Sequence, residues 1–278
     1  MAQRTVAIIG LGLIGGSLAR DLAARGARVL GYDRDQESVR LALDSGAVHA
    51  ALDAALTGIA EAEWLILAVP VSEAAEILGA IASASEHLTL ITDVGSTKRG
   101  TADAARQLGL AQFVGSHPMA GCHRSGWGAS RPGLFEDATV FLCADTDTRA
   151  EAVDHARVLW ESLGATPTLC SAEEHDEHVA WVSHLAHFAS FALALAIQAR
   201  GKRYSDLGRG GRDAVRLAAS SPAMWRAIGM ENAAEISRAI SALERELQGL
   251  RSALERDDGD GLEERFARSA TWCDPQSS

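Results

Sequence analysis

From residue 4 to about residue 170, short runs rich in Val, Ile and Leu alternate with longer Ala-rich stretches whose apolar positions recur every three or four residues. Short continuous apolar runs read as strands buried on both faces of a parallel sheet, and the longer period reads as helices packed against it. The pattern predicts strands over Thr5–Ile9, Arg28–Tyr32, Trp64–Ala68, Thr89–Thr92, Gln112–Gly115, Thr139–Cys143 and Thr166–Leu169. Helices are predicted over Ile14–Ala24, Gln36–Ser45, Ser72–Ala84, Lys98–Leu108 and Arg149–Leu163. Repeated strand and helix units of this kind make an α/β, doubly wound parallel sheet.

After Ser171 the strand signals stop and helical periods take over: Glu173–Arg200, Gly211–Ala219, Pro222–Arg256 and a short helix near Leu262–Ala270. The shift divides the chain into a sheet domain over residues 1–171 and an all-helical domain over 172–278. Ile236, Ile240, Leu243, Leu247, Leu250 and Leu254 form an apolar seam spaced alternately by four and three residues. Such a seam serves either a helix packed inside its own bundle or a subunit interface, and a homodimer through the helical half is the expectation.

Composition narrows the partners. With 278 residues, 47% hydrophobic and 23% charged, the chain has the make-up of an ordered globular protein with room for two cores. Its formal charge of -11 repels nucleic acid and anionic membranes, so an anionic small ligand needs a local cationic site. Cys122, Cys143, Cys170 and Cys273 are far apart and include no C-x-x-C pair, which suits neither a zinc module nor a disulfide framework and points to a reducing cytoplasm. No uninterrupted apolar run approaches membrane-spanning length, and the apolar start Val6–Ile14 is broken by Gly10 and Gly12.

Gly10-Leu11-Gly12-Leu13-Ile14-Gly15 directly follows a predicted strand and opens a predicted helix. In that context the first glycine permits the turn, the second lets a pyrophosphate approach the backbone, and the third packs helix on strand, so the domain reads as Rossmann-type. Leu13 and Ile14 present N–H groups at the helix start. Asp33 ends the second strand, where a carboxylate accepts the adenosine ribose hydroxyls and repels a 2'-phosphate, favouring NAD over NADP. Arg34 beside it is the residue that would instead engage that phosphate. Val69 and Pro70, at the end of the third predicted strand, complete the expected cofactor set.

Two later strand ends carry polar residues to the same sheet edge: Asp93-Val94-Gly95-Ser96-Thr97-Lys98 and Gly115-Ser116-His117-Pro118-Met119-Ala120-Gly121. His117, predicted to sit in a loop just after its strand and fixed by Pro118, reads as a functional rather than a structural histidine. His175, His178, His184 and His187 do not make one metal site, because a regular helix turns the first pair roughly opposite the second, and no metal is expected. The same regular turn places Asp176, Ser183 and His187 on one face, read as the face that closes over cofactor and substrate. The segment between Gly121 and Glu136, rich in Gly and Pro, reads either as a mobile lid or as a plain surface connection.

Taken together, the glycine turn, D-V-G-S-T-K at 93–98, G-S-H-P-M-A-G at 115–121, H-D at 175–176, S-H-L-x-H at 183–187 and R-D-x-x-R at 212–216 resemble the prephenate/arogenate (cyclohexadienyl) dehydrogenases of tyrosine biosynthesis. The likeness runs through nearly the whole chain in the same order. It implies oxidation at the ring carbon bearing the 4-hydroxyl, hydride transfer to NAD, and loss of the ring carboxylate as CO2. His117 would accept the hydroxyl proton, requiring neutral imidazole, and Ser96 would hydrogen-bond the same hydroxyl. Arg216 would clamp a substrate carboxylate with its planar fork, against the plainer reading of a surface ion pair with Asp213. His187, Asp213, Trp225 and His123 join Arg216 as the expected substrate set, with Trp225 either lining the pocket or filling core. The family often has an acidic residue where His123 stands and a proline where Ala186 stands. The missing carboxylate leans the choice to prephenate, which lacks arogenate's ammonium group. The weighed alternatives are a dimeric NAD-sensing binding module and another hydroxyacid or imine reductase relative.

Overall fold

Eight strands form one sheet: β1 (Thr5–Ile9), β2 (Arg28–Tyr32), β3 (Ala50–Ala51), β4 (Trp64–Leu67), β5 (Leu90–Asp93), β6 (Phe113–Pro118), β7 (Thr139–Cys143) and β8 (Thr166–Cys170). Their order is β3-β2-β1-β4-β5-β6-β7-β8, and every neighbouring pair is parallel except β6 with β7. The computed structural model describes residues 4–121 and 124–274. Packing groups the residues up to Val179 with Ala219–Ala233 in one unit, and Ala180–Ala218 with the residues from Ala234 onward in a second.

In the first unit the strands alternate between two cores. Val6, Ile8, Trp64, Ile66 and Leu90 face α1 (Leu13–Ala24) and α5 (Ala150–Ser162). Ala7, Ile9, Leu65, Leu67 and Ile91 face α3 (Val71–Ile81) and α4 (Arg99–Gln107). Burial on both faces is why these strands are apolar throughout rather than alternating with polar residues. α2 (Gln36–Asp44) begins at Asp35, whose carboxylate accepts the N–H groups of Glu37 and Ser38. Within the first core the Trp160 indole donates to Ser116 Oγ at 2.9 Å, and Ser116 shares a 2.8 Å hydrogen bond with Thr92, which ties α5 to β5 and β6.

Two expectations change here. β6 does not stop at Gly115 but runs to Pro118, because β7 returns antiparallel and pairs Ser116 with Leu142, His117 with Phe141 and Pro118 with Val140. His117 therefore stands in a strand rather than in the loop after it. β3 is too short to leave a periodic signal and has no counterpart in the pattern.

Residues 124–136 are strapped onto α1. Trp127, Leu134 and Phe135 are buried, and the Arg20 guanidinium lies 4.1 Å from the Trp127 ring centre. Ser17 Oγ accepts the Arg131 N–H at 3.0 Å, and Asp21 accepts that of Gly133 at 3.1 Å. Burial raises the Asp21 pKa above its ordinary value, partly offset by the Gly133 N–H and Arg25.

The second unit is helical: α7 (Leu185–Ala199), α8 (Arg209–Ala214), α10 (Ala233–Glu255) and α11 (Gly259–Trp272). α6 (Ala172–Val179) and α9 (Pro222–Glu231) are packed in the first. The stretch predicted as one helix over Gly211–Ala219 breaks at Val215 and resumes as a 3-10 turn over Arg216–Ala219. Ser190 Oγ donates to Ala214 O and accepts from Ala218 N, both at 3.1 Å, and so bridges the break. The predicted helix Pro222–Arg256 breaks at Asn232, and Glu173–Arg200 contains a π-helical turn over Ala180–His184. Of the seam on α10, Ile236 is buried, whereas Leu247 and Leu254 are 55% and 67% exposed, so the seam is not consumed inside the chain.

Gly10 has φ +93°, and a Cβ there would lie 2.2 Å from Ala68 O; a Cβ on Gly15 would lie 1.9 Å from Gly10 O. Both neighbours are backbone, so relief requires moving a strand end or a helix. Gly15→Ala is expected to lower stability by about 1–3 kcal/mol, read as a lower urea midpoint at unchanged slope.

Candidate active site

The sheet reverses direction of growth between β1 and β4, and ligands of open parallel sheets lie beyond the strand carboxyl ends at such a point. The glycine turn sits there. The first helical bond of α1 is Gly16 N–H to Gly12 O at 2.8 Å, so the preceding N–H groups of Leu13, Ile14 and Gly15 have no acceptor within the helix. A Cβ on Gly12 would meet nothing within 4 Å, in contrast to Gly10 and Gly15. Gly12 is thus not glycine for the protein's own packing. The open space beside it, at the positive end of a helix, fits a pyrophosphate.

Asp33 Oδ2 accepts the Leu11 N–H at 2.7 Å and Oδ1 accepts that of Asp35 at 2.8 Å, which fixes the carboxylate against the turn. Arg34 is 3.2 Å from Glu73 in an exposed ion pair, so its charge is shared with a carboxylate. Val69 packs beside Gly10, its Cγ1 3.3 Å from where a Cβ would stand, and Pro70 precedes the first turn of α3. The cofactor set expected from the sequence is therefore assembled on one edge.

Ser96 follows β5 and His117 lies near the end of the neighbouring β6 on that edge, three residues past Asp93 and two past Gly115, which are paired in register. Both are half-buried. His117 Nδ1 lies 2.8 Å from His175 Nε2, and His175 Nδ1 lies 2.8 Å from Asp176 Oδ1. His175 and Asp176 are wholly buried. Burial is the largest influence on His175 and holds its pKa below the ordinary histidine value, against the pull of Asp176. Burial also works to raise Asp176, but the hydrogen bonds from His175 and from the N–H groups of Arg99 and Lys98 prevail, and its pKa lies below the ordinary carboxylate value. The two shifts agree on a neutral imidazole donating to an ionised carboxylate.

Sequence reasoning gave His175 no role, and it also missed Lys98. Lys98 is fully buried, its ammonium 2.5 Å from Asp93 Oδ2, and its backbone N–H donates to Asp176 Oδ1 at 2.8 Å. The Arg99 N–H donates to Asp176 Oδ2 at 3.0 Å, so Asp176 caps α4 from a distant part of the chain. The signal for the lysine lies in Gly115: a Cβ there would come within 3.0 Å of Lys98 Cδ. The reading of Asp176, Ser183 and His187 as one functional face does not hold. Asp176 is spent on these bonds in the first unit, and the π turn at Ala180–His184 breaks the regular angular count.

Of the expected substrate set, Trp225 is buried on α9 in the first unit. Arg216 and His187 are close neighbours in the second, where burial first and the Arg216 charge second push His187 below the ordinary histidine range. His187 Nδ1 faces Ser183 O at 3.1 Å, which makes it the protonated nitrogen of neutral His187. Among the described residues no ion pair joins Asp213 to Arg216, because the chain breaks its helix between them. His123 lies outside the described residues.

A glycine turn with an open second glycine, a ribose-type carboxylate and a buried-partnered histidine on the same sheet edge define an oxidoreductase of the dinucleotide-binding class. Comparison with known proteins resolves the class further. Residues 18–169 match the family model "Prephenate dehydrogenase, nucleotide-binding domain" and residues 171–268 match "Prephenate dehydrogenase, dimerization domain". Prephenate dehydrogenase of Bacillus subtilis is 36% identical over 97% of this chain and 75% of that protein. Cyclohexadienyl dehydrogenase of Zymomonas mobilis is 35% identical over 95% and 93%. The crystal structure of prephenate dehydrogenase from A. aeolicus in complex with hydroxyphenyl propionate and NAD+ superposes with a TM-score of 0.90 at 30% identity, covering 97% of each chain. The chain belongs to the prephenate dehydrogenase family.

Gly12→Ala is expected to leave stability within ~0.5 kcal/mol, since its methyl touches no protein atom, yet to weaken NAD binding by about tenfold or more. Urea unfolding and calorimetric titration of NAD separate the two effects. Lys98→Met, which strands the buried Asp93 charge, should cost about 3–5 kcal/mol, measured by the same unfolding assay.

Proposed function

We propose that the protein oxidises and decarboxylates prephenate to 4-hydroxyphenylpyruvate and CO2 with NAD. The observation that carries this reading is the placement of His117, whose ring stands on the glycine turn's sheet edge and is backed by a buried imidazole and carboxylate. Such a histidine is built to take a proton next to a bound dinucleotide. NAD, when bound, takes up the hydride released from the ring carbon that carries the hydroxyl.

His117 accepts the hydroxyl proton as the carbonyl forms. Departure of the ring carboxylate as CO2 then delivers its electron pair into the ring, which becomes aromatic, and the proton returns from His117 to the phenolic oxygen. Ser96, from the neighbouring strand end, hydrogen-bonds the same oxygen and holds it in line. Leu13, Ile14 and Gly15 donate to the pyrophosphate across Gly12, Asp33 takes the ribose hydroxyls, and Val69 and Pro70 border the nucleotide. The Arg34 pairing with Glu73 supports NAD over NADP, since it leaves no uncommitted cation beside Asp33.

Arg216 clamps a substrate carboxylate, with neutral His187 beside it as a hydrogen-bond partner and Asp213 on the same turn of chain. Trp225 supports the pocket from the core, and His123, in place of an acidic residue, favours the keto acid prephenate over the ammonium-bearing arogenate. We assign residues 172–278 to a substrate and dimerisation domain, with a second copy covering its apolar surface. That surface includes helix 172–199, which is long and apolar enough to cross a membrane by length and composition, with 17% of its most apolar 18-residue window buried and Leu193 and Leu195 exposed. Leu247, Leu254 and Phe266 add to it. A helical domain whose family model is named for dimerisation supports a partner copy rather than lipid as the cover. A cytoplasmic location suits the free thiols Cys143, Cys170 and Cys273.

Side-by-side assays with prephenate or arogenate, each with NAD or NADP, should show the highest kcat/KM for prephenate with NAD, followed as absorbance of the reduced cofactor. His117→Asn should lower kcat by about 10²–10⁴ with NAD binding retained. Arg216→Gln should raise the KM for prephenate with a smaller change in kcat. Full activity of His117→Asn would sink the mechanism.

A further inference from the structure

We propose that His175, held by Asp176, is a positioning residue that selects the tautomer of His117 and supports its protonated form. The inference rests on the reading of His117 as the base and adds what makes it one.

Asp176 accepts the N–H groups of Lys98 at 2.8 Å and Arg99 at 3.0 Å, and these bonds require acceptor oxygens. The third contact on the carboxylate, His175 Nδ1 at 2.8 Å, is therefore a donated N–H. A neutral imidazole that is protonated on Nδ1 carries its lone pair on Nε2. His175 Nε2 is 2.8 Å from His117 Nδ1, so His117 must donate there, and neutral His117 keeps its lone pair on Nε2. Free imidazole side chains have no such fixed choice. The chain Asp176, His175, His117 thus delivers the second histidine with its basic nitrogen already defined.

Packing holds the geometry. The ring of His175 meets that of His117 edge to face with centres 5.0 Å apart, and Phe141 on the paired β7 position meets His175 in the same way at 5.4 Å. His175 is 1% exposed, so no water competes for its nitrogens. The ionisable groups around the pair are Asp93 and Lys98 at the end of β5, Arg99 at the start of α4, Cys143 on β7, Cys170 on β8, and His178 across Phe141. Asp93 and Lys98 neutralise one another at 2.5 Å. Hydrogen bonding with Cys170 and burial keep the Cys143 thiol protonated. The Asp176 charge is therefore the one that His117 senses through His175 when it takes a proton.

When His117 becomes imidazolium, its Nδ1–H donates to a nitrogen whose far side is anchored on a carboxylate. The cation is stabilised, and His117 is a stronger base than it would be alone. No proton need leave His175. The substrate proton resides on His117 Nε2 and returns from there.

The test uses the full chain with ring-15N histidine, the His117 signals being assigned by their loss in His117→Asn. In the unmodified protein, above its titration, His117 should show a protonated Nδ1 and an unprotonated Nε2. His175→Phe should scramble or invert this pattern and lower kcat by about 10²–10³. It should also move the acid limb of kcat/KM about one unit to lower pH, because neutral base is required and its cation has lost support. His175→Gln retains an acceptor for the Nδ1–H. It should restore the tautomer and recover kcat to within about tenfold of the parent, with the acid limb still shifted down. NAD affinity and the unfolding midpoint report whether each variant is folded, and if the phenylalanine variant is not, the spectrum of the parent and the glutamine variant decide. An Nε2-protonated His117 in the parent, an unmoved acid limb in folded variants, or a glutamine variant no better than the phenylalanine one would overturn the proposal. Retained activity in His117→Asn would instead remove the base itself and leave the tautomer result standing, so the two failures are distinguishable.

Discussion

The carboxylate of Asp176 is the constraint on which the active edge depends. Removing an ionised carboxylate from water costs several kcal/mol unless its acceptor sites are filled. Here they are filled by two backbone N–H groups at the start of α4 and by His175. Each donor comes with structure attached. The N–H groups belong to Lys98 and Arg99, so the end of β5 that carries Ser96 is held against α6. The imidazole leads to His117 on β6. Asn232, in the break between α9 and α10, donates to the Asp176 carbonyl at 2.7 Å, so the same residue anchors a segment from late in the chain. The buried Lys98–Asp93 pair fits this frame, because Gly115 leaves the passage its side chain requires. One residue's solvation demand therefore sets the mutual position of three strand and helix ends.

This explains which features the sequence could reveal. The strands of the first half are legible because their central positions are apolar on both faces, and the glycine turn is legible because strand, turn and helix must follow in that order. Asp33 could be found by its distance from the turn. His117 was found by type and by Pro118, but not its setting, since the antiparallel return of β7 that extends β6 is a tertiary event with no local mark. The burial of Lys98 and the pairing of His175 with Asp176 had no local mark in the sequence. A lysine after a strand reads as solvated, and an H-D pair on a helix reads as surface, until burial is known. The helix breaks at Val215 and Asn232 lack glycine or proline, and both are settled by side-chain bonds from Ser190 and Asn232 that no period reports.

Charge follows the same logic of local commitment. A chain of formal charge -11 gains nothing from its bulk field in binding an anion, so cationic positions matter one by one. Arg34 is committed to Glu73, Arg20 to the Trp127 ring, and Lys98 to Asp93. Arg216 differs: it lies in an exposed turn beside His187, whose pKa is lowered by burial first and by the Arg216 charge in addition. A guanidinium beside a neutral imidazole offers an anion one full charge and additional hydrogen-bonding capacity without a second buried cation to solvate.

The π-helical turn at Ala180–His184 separates two segments whose buried positions are held by different bonds. On α6 the buried positions are His175, Asp176 and Val179, fixed by the bonds described above. On α7 the position that must face inward is Ser190, which bridges Ala214 and Ala218. A continuous α-helix turns about 100° per residue, so choosing the phase at Asp176 would dictate it at Ser190. The widened turn over Ala180–His184 lies between the two segments, a device commonly found near functional sites. The angular count that placed Asp176 with His187 assumes an unbroken α-helix, whereas Asp176 is held by His175 and the N–H groups of Lys98 and Arg99, and His187 lies beside Arg216 and Ser183.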